Sequence, residues 1–283
     1  MSEPRDDRIY PLTRILAAVV VIIVLLAFVV LYFFPESSGQ RFAWKIQPDM
    51  MDIYMGAGYF GGAYFFTNVV FRRRWHRVQA GFPGVTAFTV CMLLATLLHW
   101  NRFDVHHLPF QLWLGIYIVT PFLVPWLWLH NRLTDPGTPE ADDILVGRPI
   151  RLILRTLGIV SLALVLAGFL FPSVLVRFWP WALTPLTARV VCGWFALQAT
   201  GELYISFDQR WSAWRIAIES IAAWEILVLV GGLFHRADLT PGLFNWVFVL
   251  LMIFILAAAG LYAFMEMRRH KAVVLKQPEL RAN

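Results

Sequence analysis

Residues 15–34 read ILAAVVVIIVLLAFVVLYFF, twenty consecutive apolar or aromatic residues without a charge. A helix rises about 1.5 Å per residue and the hydrocarbon core of a bilayer is about 30 Å thick, so this run matches one membrane crossing. No small-residue cleavage pattern follows it, and the apolar region of a signal peptide is usually shorter. We therefore expect a retained membrane helix that ends at Pro35.

Seven further apolar stretches have a similar length, which makes eight predicted membrane spans. They cover residues 15–34, 51–71, 82–99, 111–130, 150–171, 183–204, 212–234 and 243–266. The sequence therefore predicts an all-α, polytopic membrane protein with eight transmembrane helices.

The composition of the whole chain supports this fold class. Of its 283 residues, 59% are apolar, 16% are aromatic and only 15% are charged, whereas soluble domains have about 45–50% apolar and about 25% charged residues. Cys91 and Cys192 both lie inside apolar runs, which argues against a disulfide-stabilised secreted domain. A net charge of +6 located between the runs does not indicate a nucleic-acid partner. The lipid bilayer is the partner that the composition predicts.

The basic residues are divided unequally between alternate connections. Eighteen of the 24 Lys and Arg residues precede the first span, lie in or within six residues of every second connection, or follow the last span; five lie in the other connections, and Arg189 lies within the sixth span. The positive-inside rule then predicts that both termini lie in the cytoplasm. We expect the protein to reside in the cytoplasmic (inner) membrane. We also expect the tryptophans that flank the spans, among them Trp75, Trp211 and Trp214, to lie at headgroup depth.

The chain matches itself at an offset of about 137 residues. The matching pairs are Arg14 with Arg151, Phe34 with Phe171, Pro35 with Pro172, Trp44 with Trp181, Pro48 with Pro185 and Gly56 with Gly193. Each copy has four spans, and an even number returns the chain to its starting side, so the two copies are predicted to be parallel. The predicted units are a first four-helix repeat at 1–135, a cytoplasmic linker at 136–147, a second repeat at 148–270 and a cytoplasmic tail at 271–283.

Charged residues inside the spans are concentrated in the second copy. A charge near the centre of a membrane helix costs about 2.5–3.5 kcal/mol by insertion scales, so such residues usually face the protein interior. We select as a ligand or ion-pair site the following residues: Asp52, Arg189, Glu202, Arg215, Glu219 and Glu225.

Two ion pairs are expected across the hairpin that joins the sixth and seventh spans. Arg189 and Glu225 lie at similar depth, as do Glu202 and Arg215, and Glu219 is an i,i+4 neighbour of Arg215. Asp52 competes with Glu225 for Arg189, since it is the repeat equivalent of Arg189. These charges either fix helix register as static ion pairs or line a polar cavity; an unpaired Glu225 is then a candidate proton carrier.

Two other groups of residues are weaker candidates. His99 and His235 close the third and seventh spans on the same side, but no tight metal-ligand spacing accompanies them, so we predict no cofactor and keep metal or haem as a weak option. Gly58 and Gly62 belong to a small-residue stripe that allows close helix packing, either internally or against a membrane-protein partner.

Three functions are compatible with this sequence. The first is a binding or transport module for a small or amphipathic molecule or lipid, with its charged site in the second copy. The second is a non-catalytic assembly or accessory subunit of a membrane complex. The third is a membrane enzyme or a haem or metal protein that uses the outer histidines. No P-loop, nucleophile elbow or Cys-x-x-Cys motif supports nucleotide, hydrolase or thiol chemistry, so an enzyme is the weakest reading.

Overall fold

The computed structural model describes residues 5–281, and the side chains of residues 5–272 apart from Phe244. This part of the chain is all-helical and contains isolated bridges but no strand. Its α-helices are α1 Pro11–Phe33, α2 Ser38–Arg41, α3 Asp49–Phe71, α4 Gly81–Leu98, α5 Leu108–Asn131, α6 Arg148–Leu170, α7 Pro172–Phe178, α8 Pro185–Ile205, α9 Trp211–Phe234 and α10 Pro241–Arg281.

Six of the described helices are long and apolar enough to cross a membrane: α1, α4, α5, α6, α9 and α10. The protein is therefore a multi-pass integral membrane protein. Two more helices, α3 and α8, coincide with predicted spans and have 23 and 21 residues, but they are less apolar. The last helix continues beyond the expected end at residue 266, so the predicted tail is helical as far as Arg281.

The less apolar helices α3 and α8 occupy the centre of the bundle. Helix α3 packs between α1 and α9, helix α8 packs between α4 and α6, and the outer helices α5 and α10 pack on α4 and α9. Because their neighbours enclose them, α3 and α8 have little surface left to present to lipid. This position explains why both helices tolerate polar and small residues.

The connections gather at two ends of the bundle. The basic end contains residues 5–10, 72–80, 132–147 and 206–210; there Trp75 N donates to Asp7 O at 2.7 Å and Trp211 N donates to Ile144 O at 3.0 Å. At the opposite end, Thr240 N donates to Pro180 O at 2.7 Å. Three of the tryptophans expected at headgroup depth, Trp75, Trp211 and Trp214, are at most 1% exposed, so they pack inside the protein near the basic end.

Candidate functional site

A cavity of about 340 Å³ lies inside the bundle. Its lining residues come from α3, α6, α8, α9 and α10 and from the start of α4, and they extend along α9 from Trp214 to Trp224. At about 1.5 Å per residue this stretch is about 15 Å long. Since α9 begins at the basic end, the cavity occupies the half of the bundle next to that end.

The wall of the cavity on α3 is formed by glycines. A Cβ atom on Gly58 would lie 2.6 Å from the Trp194 ring, and one on Gly61 would lie 2.9 Å from the carbonyl oxygen of Ser220, so these two glycines allow close packing. Gly62 differs, because no atom lies within 4 Å of the position of its Cβ. Gly62 therefore faces open space in the cavity.

These positions change the interpretation of the small-residue stripe. Gly58 is buried against Trp194 of α8, and Gly62 borders the cavity. Gly58 is therefore used in packing within the chain, and docking of a helix of another membrane protein at this stripe stays a prediction. The stripe serves close approach between helices of the same chain.

The cavity is open on one side of the bundle. Ile153 and Leu157 of α6 line it and are 63% and 52% exposed, and Phe254 of α10 lines it and is 39% exposed. Helices α6 and α10 are outer helices of the bundle, attached to α8 and α9 respectively. The opening therefore lies between α6 and α10, on a surface whose apolar side chains contact lipid.

One carboxylate of the predicted site, Glu202, lines this cavity, and a second, Glu225, contacts its wall. Glu202 and Gln198 line it from one face of α8, and Gln198 Nε2 donates to Glu225 Oε1 on α9 at 2.7 Å. Among the described residues, neither carboxylate has an ion-pair partner, and the Glu202 side chain has no hydrogen bond either.

The expected pair of Glu202 with Arg215 does not form. Arg215 pairs instead with Glu266 on α10, Nε to Oε1, at 2.9 Å. Glu219, which does lie near Arg215, accepts from Tyr64 Oη at 2.6 Å and from Tyr262 Oη at 2.5 Å. Through these contacts Arg215 and Glu219 connect α9 to α10 and α3. Both side chains lie on a different face of α9 from the cavity.

Arg189 pairs with neither of its two expected partners, Glu225 and Asp52. Its Nε donates to the Phe169 carbonyl at 3.0 Å, and its NH1 group lies 2.7 Å from His99 Nε2. Asp52 is fully buried, and no hydrogen-bond donor meets its oxygens in good geometry, although the Ser38 side chain is nearby. Arg189 misses Glu225 because of its position around the helix axis: its side chain points to α4 and α6 and not to α9.

The two candidate metal ligands, His99 and His235, contact different residues and not each other. His99 is engaged by Arg189, and His235 lies 4.0 Å from Asp238, Nδ1 to Oδ2. Among the side chains that the structure describes, no three His, Cys, Asp or Glu residues lie close enough together to hold a metal ion.

The sequence reasoning missed a buried polar network at the basic end. His76 is 1% exposed; its Nδ1 lies 2.5 Å from Asp7 Oδ2, and its Nε2 lies 2.9 Å from Ser212 Oγ and 3.1 Å from Glu140 Oε1. Ser212 Oγ in turn donates to Asp143 Oδ2 at 2.5 Å. The hydroxyl has one proton and gives it to Asp143, so the set Asp7, His76 and Ser212 is not arranged as a hydrolase triad.

Arginines neutralise the remaining carboxylates of the basic end. Arg210 holds Asp135 through two bonds of 2.7 and 2.8 Å and also binds Asp208, and Arg77 binds Glu140. Burial by itself raises the pKa of Asp135 and of Glu140, but the hydrogen bonds from Arg210 and Arg77 prevail and hold both pKa values below their ordinary range. Asp135, Asp208 and Glu140 are each paired with an arginine, which gives these acids a structural role.

One signal in the sequence could have indicated this network. The connection between α5 and α6 contains Asp135, Glu140, Asp142 and Asp143, whereas the connections between α3 and α4 and between α8 and α9 carry arginines. Opposite charges at the same end of a bundle predict contact between the connections that carry them. His76, next to Arg77, belongs to one of these connections.

Comparison with models of protein families, with curated proteins and with solved structures finds no match for this chain.

Proposed function

We propose that this integral membrane protein is a binding or transport module for a small amphipathic molecule, which enters the cavity from the membrane. The observation that carries the proposal is the cavity itself: about 340 Å³, apolar over most of its wall, and open between α6 and α10. Its volume falls at the lower end of the range of ligand pockets, about 300–1,000 Å³, and a few polar groups among apolar walls are typical of such pockets.

The polar groups favour this function over a purely structural role for Glu202 and Glu225. Static ion pairs require a cation beside each acid, and among the described residues neither Glu202 nor Glu225 has one. A charged group is costly at this depth, so two acids without a protein cation indicate a ligand or a proton as the missing partner. Glu225 is thus a candidate proton carrier as well as a ligand contact.

We also propose that all eight long helices cross the membrane. Helices α3 and α8 span about 34 and about 31 Å at about 1.5 Å per residue, and each lies between apolar helices that shield it from lipid. The distribution of basic residues then places the basic end, both termini and the cavity on the cytoplasmic side of the inner membrane.

Matching contacts support the proposal of two parallel four-helix repeats. Helix α3 contacts α1 and α9, and its counterpart α8 contacts α6 and α4, which are the counterparts of α1 and α9. Arg14 Nε donates to Ile9 O and Arg151 Nε donates to Val146 O, both at 3.3 Å. The matched residues are 137 positions apart, as the sequence offset predicts.

The experiment that tests the function compares two leucine substitutions. Gly62→Leu places a side chain in the cavity, while Gly115→Leu places the same side chain on an exposed position of α5 where no atom lies within 4 Å of the Cβ. Native mass spectrometry of protein extracted with its lipids should show a retained small molecule or lipid in the wild type and in Gly115→Leu but not in Gly62→Leu. A constant protein partner, with no small molecule in any variant, would favour an assembly subunit instead.

A further inference from the structure

We propose that the molecule bound in this cavity is an organic cation with an apolar tail, whose ammonium group lies against Glu202 and Glu225. The inference rests on the proposed function and goes beyond it by assigning the chemical class of the ligand. The tail occupies the apolar part of the cavity, and the head neutralises the two carboxylates.

The charges that face the cavity have one sign. Among its described lining residues there is no Lys, Arg or His, whereas Glu202 lines the wall and Glu225 contacts it through Gln198. The two arginines on the same helices are already engaged, since Arg215 pairs with Glu266 and Arg189 contacts His99 and the Phe169 carbonyl. The protein therefore offers these acids no cation, and a ligand cation complements them.

The hydrogen bonds leave acceptor atoms free for such a head group. Gln198 Nε2 donates to Oε1 of Glu225, and Oε2 of Glu225 has no hydrogen-bond partner among the described side chains, as is true of both oxygens of Glu202. An ammonium group is a donor without acceptors of its own, so it satisfies oxygen atoms that the protein leaves open.

Aromatic side chains line the same part of the cavity. Trp194 and Trp224 are 3% and 4% exposed, their ring centroids lie 5.2 Å apart, and both contribute to the wall near Gln198. Aromatic faces attract organic cations, with tryptophan the most favourable. Hard metal cations prefer six or more oxygen ligands, which this mostly apolar wall does not supply. The wall therefore favours an organic ammonium over a metal ion.

The route of entry fits a ligand with an apolar tail. The opening between α6 and α10 is bordered by Ile153, Leu157 and Phe254, whose side chains face the lipid. A small polar cation would have to cross hydrocarbon to reach it, whereas an amphipathic cation partitions into the membrane first and reaches the opening from there.

Four probes with the same ten-carbon chain test the inference: decyltrimethylammonium, decylamine, decanol and decanoate. Native mass spectrometry measures the bound fraction of each with the full-length protein at pH 8. We expect both cations to bind at least tenfold more tightly than decanol and decanoate. Glu202→Gln and Glu225→Gln should each weaken the binding of both cations by at least tenfold and leave decanol unchanged.

The control variant is Asp52→Asn, which removes a buried acid of α3 that does not line the cavity. It should bind all four probes as the wild type does. Gly62→Leu should lose all of them; Ala258→Leu, which narrows the cavity from α10, repeats this test if Gly62→Leu does not fold.

The two proposals fail in different ways. Equal binding of decanol and decyltrimethylammonium, lost in Gly62→Leu but unchanged in the glutamine variants, would overturn the cationic ligand and keep the cavity as the site. Absence of binding by every probe, or binding that neither occluding variant reduces, would overturn the proposed function as well.

Discussion

The carboxylates at the basic end and those at the cavity are both removed from water, yet their surroundings are opposite. Asp135 is held by Arg210 through two short hydrogen bonds, and Glu140 is held by Arg77 and contacts His76. Glu202 has no such partner, and Glu225 has only an amide donor. The paired acids of the basic end join the connections of the bundle, while of the unpaired acids Glu202 lines its open space and Glu225 contacts the wall through Gln198.

This difference shows how a structural charge is distinguished from a candidate binding charge. Breaking a buried ion pair leaves a charge without compensation, which is strongly unfavourable, so paired acids are needed for folding. An acid that already lacks a partner can be neutralised at little structural cost. Substitutions in the two regions should therefore have opposite consequences for stability and for ligand binding.

The largest effect is expected from Arg210→Met. It leaves Asp135 and Asp208 without their cation in a buried position, so the free energy of unfolding should fall by about 3–5 kcal/mol. Unfolding of the purified protein in detergent, followed by circular dichroism, measures the change. Arg73→Met, at an exposed arginine of the same end, is the matched control and should stay within about 0.5 kcal/mol. Equal losses in both variants would contradict a role for the pairing.

The next largest effect is expected from a comparison of two alanine substitutions, one at a glycine in a close helix contact and one at a glycine that borders the cavity. A Cβ on Gly84 would lie 2.5 Å from the backbone oxygen of Leu197, so Gly84→Ala must push α4 away from α8 and should cost about 1–3 kcal/mol. Gly62→Ala adds the same methyl group where nothing lies within 4 Å, and the better helix propensity of alanine should raise stability by about 0.5–1 kcal/mol. A loss of stability in Gly62→Ala would mean that the cavity is closed.

A smaller effect concerns the dependence of stability on pH. The depressed pKa values of Asp135 and Glu140 mean that the unfolded chain binds more protons than the folded protein in acid. Their contribution to stability is complete above the ordinary values of 3.8 and 4.5 and is lost as the pH falls through the lower folded values. Unfolding measured between pH 3 and pH 6 should show this decline. Asp135→Asn should reduce the slope, and an unchanged slope would argue against the paired state of Asp135.

The smallest effect on stability is expected from Glu202→Gln. The substitution removes a charge that has no protein partner, so the unliganded protein should change by less than about 1 kcal/mol, in the direction of greater stability. The same unfolding assay as for Arg210→Met measures it. A loss of more than 2 kcal/mol would show that Glu202 has a structural partner and would remove the contrast between the two regions.

The position of the helices could be predicted from the sequence with small errors. The first span was expected at 15–34 and α1 is Pro11–Phe33, and the seventh was expected at 212–234 and α9 is Trp211–Phe234. The apolar character of a run and the prolines at its ends are local properties, so they are readable without knowing the neighbours. Helix α10 continues as a more polar helix beyond the apolar run that was expected to end at residue 266, and such an extension has no comparable local signal.

The candidate site was predicted only in part. The choice of Glu202 and Glu225 was based on charge within an apolar run; Glu202 lines the cavity, and Glu225 contacts its wall through Gln198. The acidic partners predicted for Arg189 and for Arg215 were wrong. Depth along a helix can be counted from the sequence, but the direction in which a side chain points also depends on which helices lie beside it. The Asp7–His76 contact joins residues 69 positions apart, which no local pattern connects.

The amino-acid sequence by itself determined that this chain resides in a membrane, where its helices begin, and that the charged residues inside its apolar runs are concentrated in the second copy, since each follows from the chemistry of short consecutive segments. Only the tertiary structure decided which acids are neutralised and which face an open cavity. Neutralisation requires a cation within a few ångströms, and that proximity is set by the packing of helices distant in the chain.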